Sequence, residues 1–206
     1  MNNMELIEMM LAKPYVMTGG ESLTALKFFL NGYAFCQLEK MMLEKPEPKY
    51  SLLPVDWRLF TDYVRCSLTY NEPKADWYDI LMTYFGDKEG HRMFVGYFDS
   101  FRKIELRSYR KVSLDDEQQA HYISQTGAKR VPRAMYIASI EGHVGWLSAV
   151  EFDDEIMQQR CIFSGEDKVL AAAKEMFGGE LSWFEITGVD KLHFKKEVRL
   201  ELPKKM

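Results

Sequence analysis

From Leu23 to Cys36 the apolar residues recur at helical spacing. Leu23, Leu26, Phe29, Leu30, Tyr33 and Cys36 fall along one broad face, which predicts an amphipathic helix. A shorter run before it, Leu6, Ile7, Met10 and Leu11, has the same period and stops at Pro14. Pro46 and Pro48 mark a loop, after which Asp56 is positioned to cap a helix carrying Trp57, Phe60 and Val64. Beyond the Asn71-Glu72-Pro73 turn, Asp76 starts a helix carrying Trp77, Ile80, Leu81 and Tyr84, and Gly86 closes it. Phe94, Tyr97, Phe98, Phe101 and Ile104 then repeat the helical period across Gly90 and Gly96. Each glycine costs roughly 1 kcal/mol relative to alanine in a helix interior.

The pattern weakens over residues 107–133, where Ser113-Leu114-Asp115-Asp116 resembles a helix-capping start and Pro132 ends the stretch. From Ala134 the period changes to two. Met135, Ile137 and Ser139 alternate with Tyr136, Ala138 and Ile140, and after Glu141-Gly142-His143 the residues Val144, Trp146, Val150 and Phe152 continue, which predicts a hairpin. Asp153-Asp154-Glu155 turns into a third strand with Met157, Cys161 and Phe163 on its inner face. Ser164 is the expected cap of a helix whose buried stripe is Val169, Leu170, Ala173, Met176 and Phe177, ended by Gly178-Gly179. Phe184 and Ile186 mark a fourth strand, and Val198, Leu200 and Leu202 a fifth, stopped by Pro203. The fold class that follows is α+β: an aromatic-rich helical lobe over residues 1–112, packed against a mainly antiparallel sheet with helices over 113–206.

Length and composition agree with this. The chain has 206 residues, 47% of them hydrophobic, enough for one large domain or two close lobes. Its formal charge of −4 gives no overall attraction to nucleic acid or anionic membrane. Cys36, Cys66 and Cys161 are odd in number and far apart, which suits a reducing cytosol and suggests neither a disulfide framework nor a zinc knuckle. The start, Met1-Asn2-Asn3-Met4-Glu5-Leu6, lacks a secretion signal's charged flank and apolar core, and no apolar run approaches a membrane span. The expectation is a soluble, cytoplasmic protein.

Candidate chemistry is sparse. Thr18-Gly19-Gly20-Glu21-Ser22 ahead of a helix resembles an anion-binding turn, but no Walker lysine follows, so a plain turn with a helix cap is preferred. His91, His121, His143 and His193 have no spacing that pairs two imidazoles on a helix face, so no metal site, cofactor or general base is assigned. Ser148 and Ser182 lack a nucleophile elbow, and Cys161 sits in an apolar alternation. No catalytic residue is nominated.

Charge is unevenly distributed. From Glu151 to Asp190 ten acids stand against Arg160, Lys168 and Lys174, which makes this region a candidate negative surface. Glu151, Asp153, Asp154, Glu155, Glu166 and Asp167 are its candidate partner-binding residues. Trp183 joins them as an anchor, because if Phe184 faces inward the preceding tryptophan faces out. Conversely, Arg102, Lys103, Arg107, Arg110, Lys111, Lys129, Arg130 and Arg133 form a basic stretch able to meet phosphate. It is interrupted by Asp115, Asp116 and Glu117 and lacks regularly placed aromatics for base stacking.

Met10-Leu11-Ala12-Lys13-Pro14-Tyr15-Val16, followed by Gly19-Gly20, Ser22-Leu23, Leu26, Phe29-Leu30 and Gly32-Tyr33, resembles the opening of small bacterial immunity proteins encoded beside polymorphic toxins. In that family a short helix ending at a basic residue and proline leads through a glycine turn into a helix with a leucine-phenylalanine-leucine, glycine-tyrosine pattern. The likeness covers about the first 35 residues and departs at Val16-Met17-Thr18, where a methionine-tyrosine-glycine turn is more typical. It implies a cytosolic protein that binds one cognate toxin, often a nuclease, and blocks it without catalytic apparatus. The acidic region would complement the basic surface by which a nuclease holds nucleic acid. Two alternatives stand beside this expectation: a nucleic-acid-binding or regulatory protein using the basic 102–133 segment, and an enzyme with a pocket between the lobes.

Overall fold

The computed structural model describes residues 9, 11–44, 57–154 and 157–188. Its helices are α1 (Pro14–Met17), α2 (Leu23–Glu44), α3 (Trp57–Leu68), α4 (Trp77–Arg102), α5 (Asp116–Thr126) and α6 (Glu166–Phe177). Its strands are β1 (Leu106–Ser113), β2 (Pro132–Ile140), β3 (Gly145–Phe152), β4 (Met157–Ser164) and β5 (Phe184–Glu185). The fold is α+β. The described residues form two compact units, one running to Val64 and adding Asn71–Arg102, the other joining Arg65–Tyr70 to the chain from Lys103 onward. Strand β1 thus belongs with the sheet, so the division falls before residue 112, where the sequence placed it.

In the first unit, α2 buries Leu23, Leu26 and Leu30. Ser22 caps it, its Oγ accepting the Ala25 N–H at 3.1 Å. A helical stretch that includes Leu11 and Ala12 ends before Pro14, as the sequence expects, and Pro14 then opens α1 at a first-turn position where its missing N–H costs nothing. Asp76 caps α4 as its sequence suggests, with Oδ1 accepting from Tyr78 N–H at 2.9 Å and Asp79 N–H at 3.1 Å. Gly86 leaves helical geometry at φ 71° and ψ −172°, but the chain resumes the helix immediately and runs on to Arg102. The glycine therefore ends the first helical segment of α4, as the sequence expects, and a second segment follows across a sharp break. The core of this unit is aromatic: Trp77 and Phe94 stand 4.8 Å apart by ring centroid, and Phe60 meets Phe94 and Phe101 edge-on at 5.4 Å. Each such pair adds about 0.5–1.5 kcal/mol to the burial of its area.

The second unit is a five-stranded sheet in the order β4-β3-β2-β1-β5, antiparallel throughout. The β2–β3 hairpin follows the sequence alternation, pairing Met135 with Val150 and Ile137 with Ser148. Helices α5 and α6 cover the face that carries Val112, Met135, Ile137, Val150 and Phe152. Tyr122 and Phe177 stack between them at 5.4 Å. A capping box begins α5: Asp115 accepts the Gln118 N–H at 2.9 Å while Gln118 accepts the Asp115 N–H at 3.1 Å. The opposite face is also buried, with Tyr136, Ala138, Leu147 and Ala149 fully inaccessible.

Three local expectations change. Helix α6 is preceded by Gly165 at φ 109°, with no side-chain cap, and Ser164 Oγ instead accepts from Lys168 Nζ at 2.9 Å. Trp183 and Phe184 exchange roles: Phe184 is 46% exposed, while Trp183 packs against the helix-side core. The sheet register explains this, because Phe184 pairs with Lys111 and Glu185 with Arg110, which places position 183 on the same face as Arg110. Finally, residues 106–113 form a central strand where the sequence showed no clear period. The expected fifth strand around Val198, Leu200 and Leu202 lies outside the described residues, as do Leu6, Ile7, Met10 and the Asp56 cap.

Candidate functional site

The sheet separates the acidic candidates. Asp153 and Asp154 occupy the β3–β4 turn, whereas Glu166 and Asp167 form the first turn of α6 at the other end of β4. The eight residues of β4 hold these groups about 23 Å apart at ~3.3 Å per residue. Glu151 lies on β3, where its carboxylate accepts the Tyr136 hydroxyl at 2.6 Å. Glu155 lies outside the described residues.

Opposite candidates consume one another. Arg110 pairs with Glu166 at 2.6 Å, Arg130 pairs with Asp154, and Arg107 pairs with Glu141. The basic side chains are also set over rings: Arg110 lies 5.5 Å from the Trp146 centroid, Lys111 5.0 Å from Tyr136 and Arg130 4.6 Å from Phe152. Asp154 and Glu166 among the acidic candidates, and Arg107, Arg110 and Arg130 among the basic ones, are thus held in ion pairs within the second unit. Asp153, Asp167, Lys103, Lys129 and Arg133 stay exposed.

One pair has the look of a nucleophile and its base. Ser67 Oγ lies 2.8 Å from His143 Nε2. The other ring nitrogen decides the matter, because Nδ1 accepts the Gly145 backbone N–H at 2.8 Å and must carry a lone pair. A neutral ring then holds its proton on Nε2 and donates it to the serine, the reverse of what activating a hydroxyl requires. Burial holds His143 below the ordinary imidazole value, in keeping with a neutral ring. Among the described residues no group of three His, Cys, Asp or Glu side chains is placed to hold a metal ion.

A cleft of about 170 Å³ opens between the start of α5 and the end of α6, lined by Asp115, Glu117, Gln118, His121, Phe177 and the 178–180 turn. Its polar groups are largely engaged: Asp115 in the capping box, and Gln118 Nε2 on the Glu180 carbonyl at 3.1 Å.

The glycine turn of residues 18–22 has its own anion. Asp87 Oδ1 accepts the Thr24 N–H at 2.8 Å, taking one of the free donors at the start of α2. Desolvation acts to raise this carboxyl, but the Thr24 N–H and hydroxyl, the Ser22 hydroxyl and nearby His91 outweigh it and hold it below its usual value. His91, buried in α4, is itself held below its ordinary value by desolvation, with the charges of Glu21 and Asp87 acting the other way.

The outward face of α2 is where the sequence reading missed most. Phe28 is 72% exposed and Phe35 60%, seven residues apart on one helix face with Gly32 between them, and Tyr15 just before the helix is 71% exposed. The spacing carried the signal, since both phenylalanines fall opposite Leu26 and Leu30. Cys36, expected on the buried face, is exposed beside them.

The chain matches no family model, and no curated protein and no solved structure shows a significant likeness to it.

Proposed function

We propose that this is an inhibitor-type binding protein that engages a partner protein, in the manner of an immunity protein neutralising a cognate toxin in the cytosol. The observation that carries this reading is the outward aromatic face of α2. Two phenylalanines more than half exposed on one helix face are costly to leave in water and are the residue type that anchors protein interfaces. They lie within or just beyond the segment that resembles the immunity-protein opening, so two separate lines of support meet on one helix. The acidic surface has a smaller part than its composition suggests: Asp153 and Asp167 are exposed, while Asp154 and Glu166 hold arginines of the same unit. Those same pairs remove Arg110 and Arg130 from a phosphate-binding surface, which weakens the nucleic-acid alternative.

The test is co-expression with the product of the neighbouring gene in the source genome. Wild type is expected to protect the cells and to co-purify stoichiometrically. Phe28→Ser with Phe35→Ser is expected to lose about 100-fold or more in affinity while leaving thermal stability nearly unchanged, since truncating a central aromatic anchor costs ~2 kcal/mol or more. Undiminished binding by a folded double variant would remove α2 from the interface. Absence of both protection and binding would remove the inhibitor reading.

A further inference from the structure

The His143 ring is held in a geometry that only its neutral form can occupy. Gly145 donates its N–H to Nδ1 at 2.8 Å, and the approach is so close that a Cβ on Gly145 would stand 2.6 Å from that nitrogen. On the other side of the ring, Nε2 meets Ser67 Oγ at 2.8 Å. One residue earlier, the buried Cys66 thiol donates to the Ile162 carbonyl on β4 at 3.7 Å. Residues 66 and 67 are therefore tied at adjacent points to β4 and to the β2–β3 turn.

We propose that His143 is a pH-sensitive clasp, whose protonation at Nδ1 sets one N–H against another at Gly145 and releases Ser67 from the β2–β3 turn while the strand ladder stays paired. A donor facing a donor at this distance is repulsive, and the glycine backbone is fixed by its strand, so the ring is the part that moves. The carboxylates on the same turn and in the first turn of α6 are Glu141, Glu166 and Asp167. Glu141 on the same turn is paired with Arg107, and Glu166 in the first turn of α6 with Arg110. Asp167 follows Glu166 and is exposed. The 65–70 segment carries Arg65, Cys66 and Tyr70, among which the only permanent charge is positive. Burial already favours the neutral ring, so the clasp is closed near neutrality and opens on acidification.

NMR of the full chain tests this through the His143 ring-nitrogen shifts and the amide-exchange protection factors of Gly145, Leu147 and Val150. At about pH 7.5 the ring is expected to be the Nε2–H tautomer. At about pH 5 the Gly145 protection factor is expected to fall roughly tenfold, the loss of one hydrogen bond, with Leu147 and Val150 unchanged. His143→Asn retains a side-chain oxygen able to accept the N–H two residues on, and is expected to make Gly145 protection independent of pH. An Nδ1–H tautomer near neutrality, an unchanged Gly145 protection factor after the ring has titrated, or the same acid-induced loss in folded His143→Asn would each overturn the proposal.

Discussion

The Asp87 carboxylate accepts the backbone N–H of Thr24 at 2.8 Å, across 63 positions of sequence. It lets α4 satisfy a donor at the start of α2 that Ser22 alone leaves open, since Ser22 Oγ takes only the Ala25 N–H. A turn that looks ready for phosphate is thus already neutralised from within. Asp87→Ala is expected to cost about 1–2 kcal/mol, and Asp87→Asn, which keeps an acceptor but loses the charge at the helix N-terminus, about 0.5–1 kcal/mol. Urea unfolding checks both, and equal stability of Asp87→Ala and wild type would show the bond to be incidental. Because the folded carboxyl lies below its ordinary value, its contribution is present above about pH 4 and is lost as pH falls through the folded value.

Two glycines in α4 should respond oppositely to the same substitution. A Cβ on Gly90 would stand 2.9 Å from Leu23 Cδ2 and 3.4 Å from the Leu81 carbonyl oxygen, and Leu23 is fully buried. Overpacking of about 1–3 kcal/mol exceeds the helix-propensity gain of ~1 kcal/mol, so Gly90→Ala is expected to destabilise. Gly96 has nothing within 4 Å of a Cβ, and Gly96→Ala is expected to stabilise by about 0.5–1 kcal/mol. Shifts of the same sign in thermal midpoint would contradict this packing of α2 on α4.

Period and caps were legible where one force dominates. The β2–β3 alternation, the Asp76 cap, a capping start within Ser113–Asp116 and the Val169, Ala173, Phe177 stripe all follow from local sequence, because each is decided by burial or by short local hydrogen bonds, although the cap of α5 is Asp115 and Ser113 ends β1. Strand β1 was not legible. Its Arg107, Arg110 and Lys111 read as a basic boundary, yet each is compensated by a partner distant in sequence: Glu141, Glu166 and the Tyr136 ring. Ser108, at φ 49°, adds an irregularity that breaks the period of two between Arg107 and Arg110. The reversal at Trp183 and Phe184 has the same origin, since a two-residue strand takes its facing from the register of β1. For the candidate site, charge counting exposed the acids and bases but not that Asp154 and Glu166 meet Arg130 and Arg110 in space.

His91 supplies a pH dependence in the first unit. Burial disfavours its charged form more than Glu21 and Asp87 favour it, so the unfolded chain binds the proton more readily. Its contribution to stability is complete above about pH 6.5 and declines as pH falls from there toward the lower folded value. His91→Gln is expected to flatten the dependence of the urea midpoint between about pH 5 and 7, leaving the share due to His143. Parallel profiles for the variant and wild type would show that His91 does not titrate differently on folding.

The pairing of Arg110 with Glu166 bears on which macromolecule the second unit can meet. Both side chains are partly solvated, at 28% and 39% exposure, so a double-mutant cycle to alanine is expected to give a coupling of about 0.5–1 kcal/mol that shrinks with added salt. Arg110→Ala alone should cost more than Glu166→Ala, because it also uncovers the Trp146 ring. The exchanged pair Arg110→Glu with Glu166→Arg should recover part of the loss. Zero coupling, with tight salt-sensitive nucleic-acid binding by the wild type that Arg110→Ala weakens, would mean that the guanidinium is available to phosphate and would return weight to the basic segment. A coupling of the expected size, with no such binding, leaves Arg110 committed to holding the start of α6 against β1.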